Sequence, residues 1–386
     1  MTIAELHSNE ELRQHEFPVA RQRIFLAHSA ASPLPRRVAD AMRDYVTQSS
    51  SASQDTPMPI ARQQQTRELA ARLMGAKPEE ISFVGPTSLA LSIAAAGLPL
   101  RKGDNILIYF EDYPSNVYPW TALAEKGVQV RLMNVRELGK IRPVDVMGQV
   151  DENTRLVALA SNHFLAGYRP DLQTIGKYLY ERNILFGVDA IQTLGAFPIS
   201  VEYIDFLAAG AQKWLLGPCG AGLFYVRRSL QEKLTPKVYG WHNVRSAGFV
   251  AQDKFVYPPD GRRYEAGTGN LIGVAGMQAA LELLLEVGVE NIAAELLRKR
   301  AWLVPALQEK GWSVLQADAP APNASGITTF YRDGKELSGT FQKLRDAGID
   351  VSQRTDRTGR EYLRISAHFY NTDAELHRTL EFLQAR

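Results

Sequence analysis

The sequence has little cysteine, little excess charge of either sign and no long apolar run. Cys219 is the one cysteine in 386 residues, which excludes an internal disulfide framework and suits a reducing compartment. The 44 basic and 42 acidic side chains nearly cancel, so we expect no nucleic-acid partner, and any bound anion should be small. No apolar run reaches the roughly 18 residues of a spanning helix, and the N-terminus is too acidic for a secretory signal. We therefore expect a cytoplasmic protein with no membrane partner.

What the sequence does contain is a regular alternation of apolar, β-branched runs with helical patterns. The runs begin at Ile81, Ile106, Val128, Arg155, Ile184, Ile204 and Gly222. Strands that alternate with helices in this way are typical of a mainly parallel sheet covered by helices on both faces. We predict an α/β fold whose large domain is a three-layer, mainly parallel sheet.

The last third of the chain has a different pattern. A long apolar helix is predicted from Val274, followed by strands at Gly326 and Tyr362 and by helices from Glu336 and Asp373. These elements predict a smaller α+β C-terminal domain. We divide the chain into an N-terminal arm that packs with the small domain (residues 1–24), a large domain (residues 25–262) and the small domain (residues 263–386).

Polar residues that directly follow predicted strands are the first candidates for a functional site, because open α/β sheets bind ligands beyond the carboxyl ends of their strands. Thr87 and Ser88 follow one strand and open a helix, where they either cap it or help to hold a phosphate. Asp189 ends another strand, with Gln192 just beyond. Lys213 follows a third strand and lies beside apolar residues, so it either extends its amine to solvent or has a reactive amine of lowered pKa.

These residues together resemble a known family. The segment VDAIQTLGAFPISVEYIDFLAAGAQKWLLGPCGAGLFYV is similar to the signature of the class V aminotransferase-fold enzymes, which use pyridoxal phosphate and have fold type I. That superfamily includes cysteine desulfurases, selenocysteine lyases, isopenicillin-N-epimerase-like proteins and kynureninases. The segments FLAHSAASPLP, VGPTSLALSIA, EDYPSNVYPW, RYEAGTGN and YLRISAHFYNT match further family segments, so the resemblance covers nearly the whole chain.

The resemblance implies a role for each matching residue around pyridoxal 5'-phosphate. Lys213 would hold the cofactor as a Schiff base and then move the substrate's Cα proton. Asp189 would keep the pyridine nitrogen protonated, which makes the ring an electron sink. Gln192 and Asn162 would hydrogen-bond the ring hydroxyl, and Tyr113 would stack on the ring face.

Three further residues are assigned by the same resemblance to the substrate or to a second subunit. Arg364 would clamp the substrate carboxylate with two parallel hydrogen bonds, and His28 would also contact the substrate. Thr268 would reach the phosphate in a neighbouring subunit, which implies a homodimer with shared active sites. No metal is implied.

The sequence departs from the cysteine desulfurases at two places. Where they have a phosphate-binding serine and a histidine just before the lysine, this chain has Gly210 and Gln212. Gln212 would still bind the cofactor by donating an amide hydrogen bond to a phosphate oxygen, but it carries no charge. Phosphate binding must therefore depend more on Thr87, Ser88, backbone N–H groups and the partner subunit. Their catalytic cysteine has no counterpart in GIDVSQRTDRTGREYLRIS, and Cys219 lies elsewhere. The branch without that cysteine, which is isopenicillin-N-epimerase-like, is the most similar.

We therefore expect an enzyme that uses pyridoxal phosphate to remove the Cα proton of a small amino acid. Transamination and β-elimination of the C–S lyase type are the leading outcomes. Direct release of sulfide or selenide by a cysteine or selenocysteine lyase, epimerisation at Cα, and a catalytically silent regulatory protein that still binds the cofactor are the alternatives.

Overall fold

All seven strands predicted in the first two-thirds of the chain form, and they pair in one sheet. The computed structural model describes residues 1–383. Its strands are β1 Ile24–Phe25, β2 Ile81–Phe83, β3 Asn105–Ile108, β4 Gln129–Leu132, β5 Thr154–Ala160, β6 Leu185–Asp189, β7 Phe206–Gly210, β8 Gly222–Val226, β9 Ser313–Val314, β10 Ile327–Tyr331, β11 Ile349–Asp350, β12 Ser352–Thr355 and β13 Glu361–Ser366.

The helices fall mainly between these strands, as the alternating pattern predicts. The α-helices are α1 Ile3–Ser8, α2 Glu10–Glu16, α3 Arg36–Ser49, α4 Ile60–Met74, α5 Thr87–Gly97, α6 Tyr118–Thr121, α7 Pro143–Met147, α8 Leu172–Tyr180, α9 Arg228–Gln231, α10 Leu271–Val287, α11 Val289–Glu309, α12 Ser338–Asp346 and α13 Asp373–Phe382. Short 3₁₀ helices cover Pro18–Arg21, Pro78–Glu80, Pro114–Asn116, Ala122–Lys126, Ala247–Phe249 and Gly261–Tyr264.

The large sheet has the strand order β2-β8-β7-β6-β5-β3-β4. The five strands from β7 to β4 run parallel, whereas β8 is antiparallel to both of its neighbours. The central strands are buried along almost their whole length, which explains their continuous apolar sequences. Because parallel strands end on the same side, the carboxyl ends of β3, β5, β6 and β7 form one edge.

A separate apolar core covers each face of this sheet. On one face, side chains of α8 and α10 such as Leu179 and Leu281 pack with Trp214. On the other face, Leu91 of α5 and Trp120 of α6 pack against Phe224. These two cores make the three layers that the sequence predicts, and the predicted fold class is confirmed by the structure and by the comparisons below.

The second sheet is smaller and antiparallel, with the order β12-β13-β10-β9. Its apolar face packs with α12 and α13 in a core of its own. The N-terminal segment contacts this region, since β1 pairs with β11 and Arg13 of α2 makes a 2.8 Å ion pair with Glu375 of α13. Phe17 also stacks on Tyr370 at 4.0 Å. The three-part division of the chain stays a prediction.

The predicted long apolar helix is α10, and α11 follows it after a sharp bend. Within residues 1–383 no single helix is long and apolar enough to cross a membrane, although this bent pair passes that test together, with 74° between its axes. The chain turns at Gly288, whose φ of 86° lies in the region that glycine adopts readily. Most side chains of α10 are buried in the protein.

Candidate active site

Four neighbouring parallel strands deliver polar side chains to one edge of the large sheet. Asp112 follows β3, Asn162 follows β5, Asp189 ends β6 and Lys213 follows β7. All four side chains are buried. Because buried polar groups are costly unless they find partners, four of them at one sheet edge indicate a ligand site. The structure thus brings together three residues that the sequence singled out, and adds Asp112.

Lys213 is the centre of this cluster. Its side chain is only 7% exposed, and Nζ makes no hydrogen bond or salt bridge within the part of the chain that the structure describes. Burial lowers the pKa of the amine, and the nearby cations of Arg364 and Arg354 lower it further, although Asp189 opposes them. The Tyr113 ring centre lies 5.2 Å from Nζ. The arrangement favours the uncharged, nucleophilic form of the amine.

Two buried carboxyl groups, those of Asp189 and Asp112, lie at the same edge of the sheet as this amine. Burial raises the pKa of Asp189, and the nearby Asp112 raises it further, whereas the Ile191 N–H, 3.0 Å from Oδ1, works in the other direction. Burial also raises the pKa of Asp112 to about 6, although it accepts hydrogen bonds from the Asn116 side chain and the Ala160 backbone. A basic carboxyl of this kind suits a hydrogen bond with a protonated ring nitrogen.

Arg364 of β13 reaches the site from the small sheet. It is 1% exposed, donates to the Phe164 carbonyl, and leaves its buried Nε without a partner. Within the described residues it makes no salt bridge with a carboxylate. Burial and the neighbouring Arg354 lower its pKa. A buried arginine without a counter-ion is expensive, so this guanidinium indicates a site for an anion such as a substrate carboxylate.

The residues predicted to hold a phosphate lie at the start of α5, next to the end of β7. Thr87 is buried and its hydroxyl oxygen accepts the Gly210 N–H at 2.8 Å, whereas the exposed Ser88 bonds Ser115 at 2.8 Å. No side chain caps this helix end, so its first N–H groups are available for an anion. A Cβ on Gly210 would come within 2.4 Å of Gln212 Oε1, so glycine makes room for that amide.

Asn162 and Gln192 differ in how many hydrogen bonds their side-chain amides make. Asn162 is completely buried and donates to the Gln192 carbonyl, but its Oδ1 has no hydrogen-bond partner within the described chain. Gln192 donates to the Ser29 carbonyl and accepts from Trp214, which leaves one N–H of its amide. A buried amide oxygen without a partner in the chain is rare and indicates that a ligand donates to it. The acceptor of Asn162 and the remaining N–H of Gln192 therefore fit a hydroxylated ring such as that of pyridoxal phosphate.

His28 is packed differently from the other predicted residues. Its ring nitrogens lie 2.9 Å from the Ser366 carbonyl and 3.0 Å from the Tyr370 hydroxyl, and burial lowers its pKa to about 4. This packing leaves neither nitrogen for a substrate, so the predicted substrate contact stays a prediction that requires the ring to move. His163, which the sequence did not single out, is also buried with both ring nitrogens hydrogen-bonded. Its Nε2 bonds the backbone carbonyl of Glu111, and its Nδ1 accepts the backbone N–H of Ala166.

Thr268 lies apart from this cluster, on the loop before α10. It is exposed, and it lines a cavity of about 470 Å³ together with Leu89 and Trp241. Its predicted contact with a neighbouring subunit's phosphate stays a prediction. Exposed Cys219 lies in the turn between Lys213 and β8, not in the β12–β13 hairpin.

The hairpin between β12 and β13 forms one wall of the site. Its tip residue Arg357 lies 3.2 Å from Glu111 and over the Phe110 ring at 4.4 Å. It thereby joins the hairpin to the loop that carries Asp112 and Tyr113. A cavity of about 270 Å³ lies beside this contact.

Comparison with known proteins identifies the family of this chain. The model of the family "Aminotransferase class-V" matches residues 24–379, so the chain belongs to that family of pyridoxal-phosphate-dependent enzymes. A probable cysteine desulfurase from Methanothermobacter thermautotrophicus is 31% identical, and the alignment covers 95% of each chain. The uncharacterized aminotransferase YcbU of Bacillus subtilis is 28% identical, with 98% of each chain covered.

Among solved structures, the apo cysteine desulfurase from Thermococcus onnurineus NA1 superposes with a TM-score of 0.88. It is 23% identical, and 97% of each chain is covered. This likeness shows the fold. The relatives' names include both desulfurase and aminotransferase, so the family of pyridoxal-phosphate-dependent enzymes is established, whereas the reaction of this chain is a separate question.

Proposed function

We propose that this protein removes the Cα proton of a small amino acid and completes the reaction by transamination or by β-elimination of the C–S lyase type. The observation that carries the proposal is the buried amine of Lys213, which lies near buried Asp189 and near the guanidinium of Arg364, a cation with no carboxylate partner among the described residues. These are the three groups that the reaction needs at the amino, ring-nitrogen and carboxylate positions.

Each residue has a task that follows from its surroundings. Pyridoxal phosphate, when bound, supplies the electron sink that makes the Cα proton removable. Arg364 binds the substrate carboxylate and so fixes the orientation of Cα. Lys213 Nζ, whose lowered pKa leaves it uncharged more often than an exposed lysine, takes the proton and returns it elsewhere. Asp189 and Asn162 would hold the ring, and Tyr113, whose ring centre lies 5.2 Å from Nζ, would stack on the ring face.

A sulfur-containing substrate is the second candidate. The M. thermautotrophicus relative is named a cysteine desulfurase, yet the hairpin between β12 and β13 contains no cysteine in this chain. We infer that any sulfur released from the substrate leaves directly as sulfide rather than as a persulfide on the protein. If the Cys219→Ala variant still produces sulfide, the result supports this inference. Loss of sulfide production in that variant contradicts the inference.

We also propose that two copies of the chain form a homodimer with shared sites. An outward-facing segment, residues 238–256, exposes several aromatic and aliphatic side chains and lies next to Thr268 in the wall of the 470 Å³ cavity. Trp241, Phe249 and Phe255 are more than half exposed. A contiguous apolar surface of this kind is typical of a protein interface.

The first experiment follows the cofactor by its visible absorbance. Purified protein supplied with pyridoxal phosphate should show the band of a lysine-bound cofactor, and Lys213→Ala should lose it. Lys299→Met is the matched control, since Lys299 is also buried but pairs with Glu295. A band that survives in Lys213→Ala would contradict the proposal.

The second experiment identifies the outcome of the reaction. The wild-type enzyme is assayed for pyruvate release, for amino transfer to a keto acid and for racemisation with a panel of amino acids. Normal cofactor binding with no turnover of any amino acid would favour a regulatory protein instead.

A further inference from the structure

A second arginine, Arg354 of β12, points into the same site as Arg364. In the β12–β13 ladder Ser352 is directly opposite Arg364, and Arg354 is two residues further along β12. Side chains two apart on a strand lie on the same face of the sheet, and diagonal neighbours across a pair are about 7–8 Å apart. The two guanidinium groups therefore share one face, whereas Leu363 and Ile365 lie on the other, in the small core.

Arg354 has no acidic partner within residues 1–383. Its side chain donates a hydrogen bond to the carbonyl of the adjacent residue, Gln353, at 2.8 Å, and it makes no salt bridge among these residues. It is half-buried, and it acts electrostatically on Lys213, Arg364 and Tyr113, all of which belong to the site. The substrate side of the site thus holds two arginine cations beside the amine of Lys213.

One substrate carboxylate can neutralise only one of the two arginines. When an α-carboxylate binds Arg364, the charge of Arg354 still has no counter-ion in a half-buried position, which is unfavourable. A second negative group on the substrate would remove that cost and would accept charge-assisted hydrogen bonds, which are the strong ones. Arginine is also the side chain best suited to anionic groups that present two oxygens side by side, as carboxylate and sulfinate do.

We propose that Arg354 selects amino acids whose side chain ends in an anionic group, such as a carboxylate or a sulfinate. This inference rests on the proposed function and goes beyond it by naming the substrate class. Arg364 binds the α-carboxylate, Arg354 binds the side-chain anion, and Cα is held between them and Lys213.

Binding of unreactive acids to the cofactor-loaded enzyme tests this inference without turnover. Calorimetry compares succinate, which has two carboxylates, with butyrate, which has one. We expect the wild-type enzyme to bind succinate at least about tenfold more tightly, the usual value of a charged hydrogen bond. Arg354→Gln should bind the two acids about equally, and Arg354→Lys should retain part of the preference. Equal binding by the wild type, or an unchanged preference in Arg354→Gln, would overturn the inference.

Arg360→Gln is the matched control, because Arg360 lies in the same hairpin but is exposed and pairs with Asp333. It should keep the wild-type preference, and a loss as large as that of Arg354→Gln would show a general effect of hairpin charge and overturn the assignment. Thermal unfolding of each variant shows whether it is folded.

Turnover then distinguishes the two kinds of side-chain anion. L-Aspartate and L-cysteine sulfinate are compared with L-alanine and L-cysteine, and we expect kcat/KM to favour the anionic pair in the wild type and to lose that preference in Arg354→Gln. A preference for neutral amino acids would overturn the inference but leave the proposed function standing. Absence of the lysine-bound cofactor band would instead contradict the proposed function.

Discussion

At the scale of single residues, the site depends on basic side chains that are buried without their usual partners. Lys213 has no acceptor for its amine among the described residues, and Arg364 has no carboxylate. In a protein interior such groups destabilise the folded chain unless a ligand binds them. We therefore interpret this cluster as a site whose stability and reactivity both depend on what it binds.

The lowered pKa of Lys213 predicts how cofactor uptake depends on pH. Only the uncharged amine reacts with an aldehyde, so the rate at which the cofactor-free protein takes up pyridoxal phosphate should rise with pH and level off below the usual lysine range. Arg364→Gln removes a nearby cation, which should raise the pKa of Lys213 and move the whole profile to higher pH. Stopped-flow absorbance measures both profiles. Identical profiles for the two proteins would contradict the electrostatic role given to Arg364.

The sequence singled out some residues of this cluster because they obey a local rule. Asp189 and Lys213 directly follow apolar strands, and the ends of neighbouring parallel strands must meet. Asp112 follows β3 in the same way, so the rule could have found it too. Arg354 could not be found by that rule, because its strand has the polar sequence SQRT and forms only by pairing with β13. The packing of His28 depends on Tyr370, 342 residues away in the sequence.

At the scale of elements, a buried ion pair fixes the segment before α10. Arg67 of α4 donates to both carboxylate oxygens of Glu265 at 2.7 Å, and Glu265 also accepts the Phe83 N–H of β2. The side chains are 5% and 8% exposed. This pair connects a helix, a strand and the loop that leads to Thr268.

Removal of one member of this pair should be costly. Arg67→Ala leaves the buried carboxylate of Glu265 without its cation, and we expect the free energy of unfolding to fall by about 3–5 kcal/mol. Urea unfolding measures the change. Arg43→Ala is the control, since Arg43 pairs with Asp40 on the surface at 68% and 43% exposure and should cost less than about 1 kcal/mol. Equal losses in the two variants would contradict the structural role of the buried pair.

The elements themselves followed from the sequence more completely than the site did. Each predicted strand and helix of the last third also forms, because its apolar period is long enough to recognise. The two-residue strands β1, β9 and β11 were not predicted. They have no pattern of their own and exist only because the chain passes beside a partner strand.

At the scale of the whole molecule, the exposed aromatic segment predicts a dimer. Light scattering should give about twice the chain mass of 42.9 kDa, and Trp241→Glu, which places a charge in the proposed interface, should shift the protein toward the monomer. Tyr180→Glu is the control, since Tyr180 is comparably exposed but lies on α8. A wild-type monomer that is fully active would contradict both the interface and the role of Thr268.

The contact between Arg357 and Glu111 affects how easily small molecules reach the cavity beside the hairpin. The two side chains are 60% and 32% exposed, so their attraction is worth less than about 1 kcal/mol, a factor of about five in the ratio of closed to open forms. The hairpin tip should therefore separate from the loop that contains Glu111 often, and small molecules can exchange with the cavity beside it. Because salt screens exposed ion pairs, higher ionic strength should make this opening more frequent.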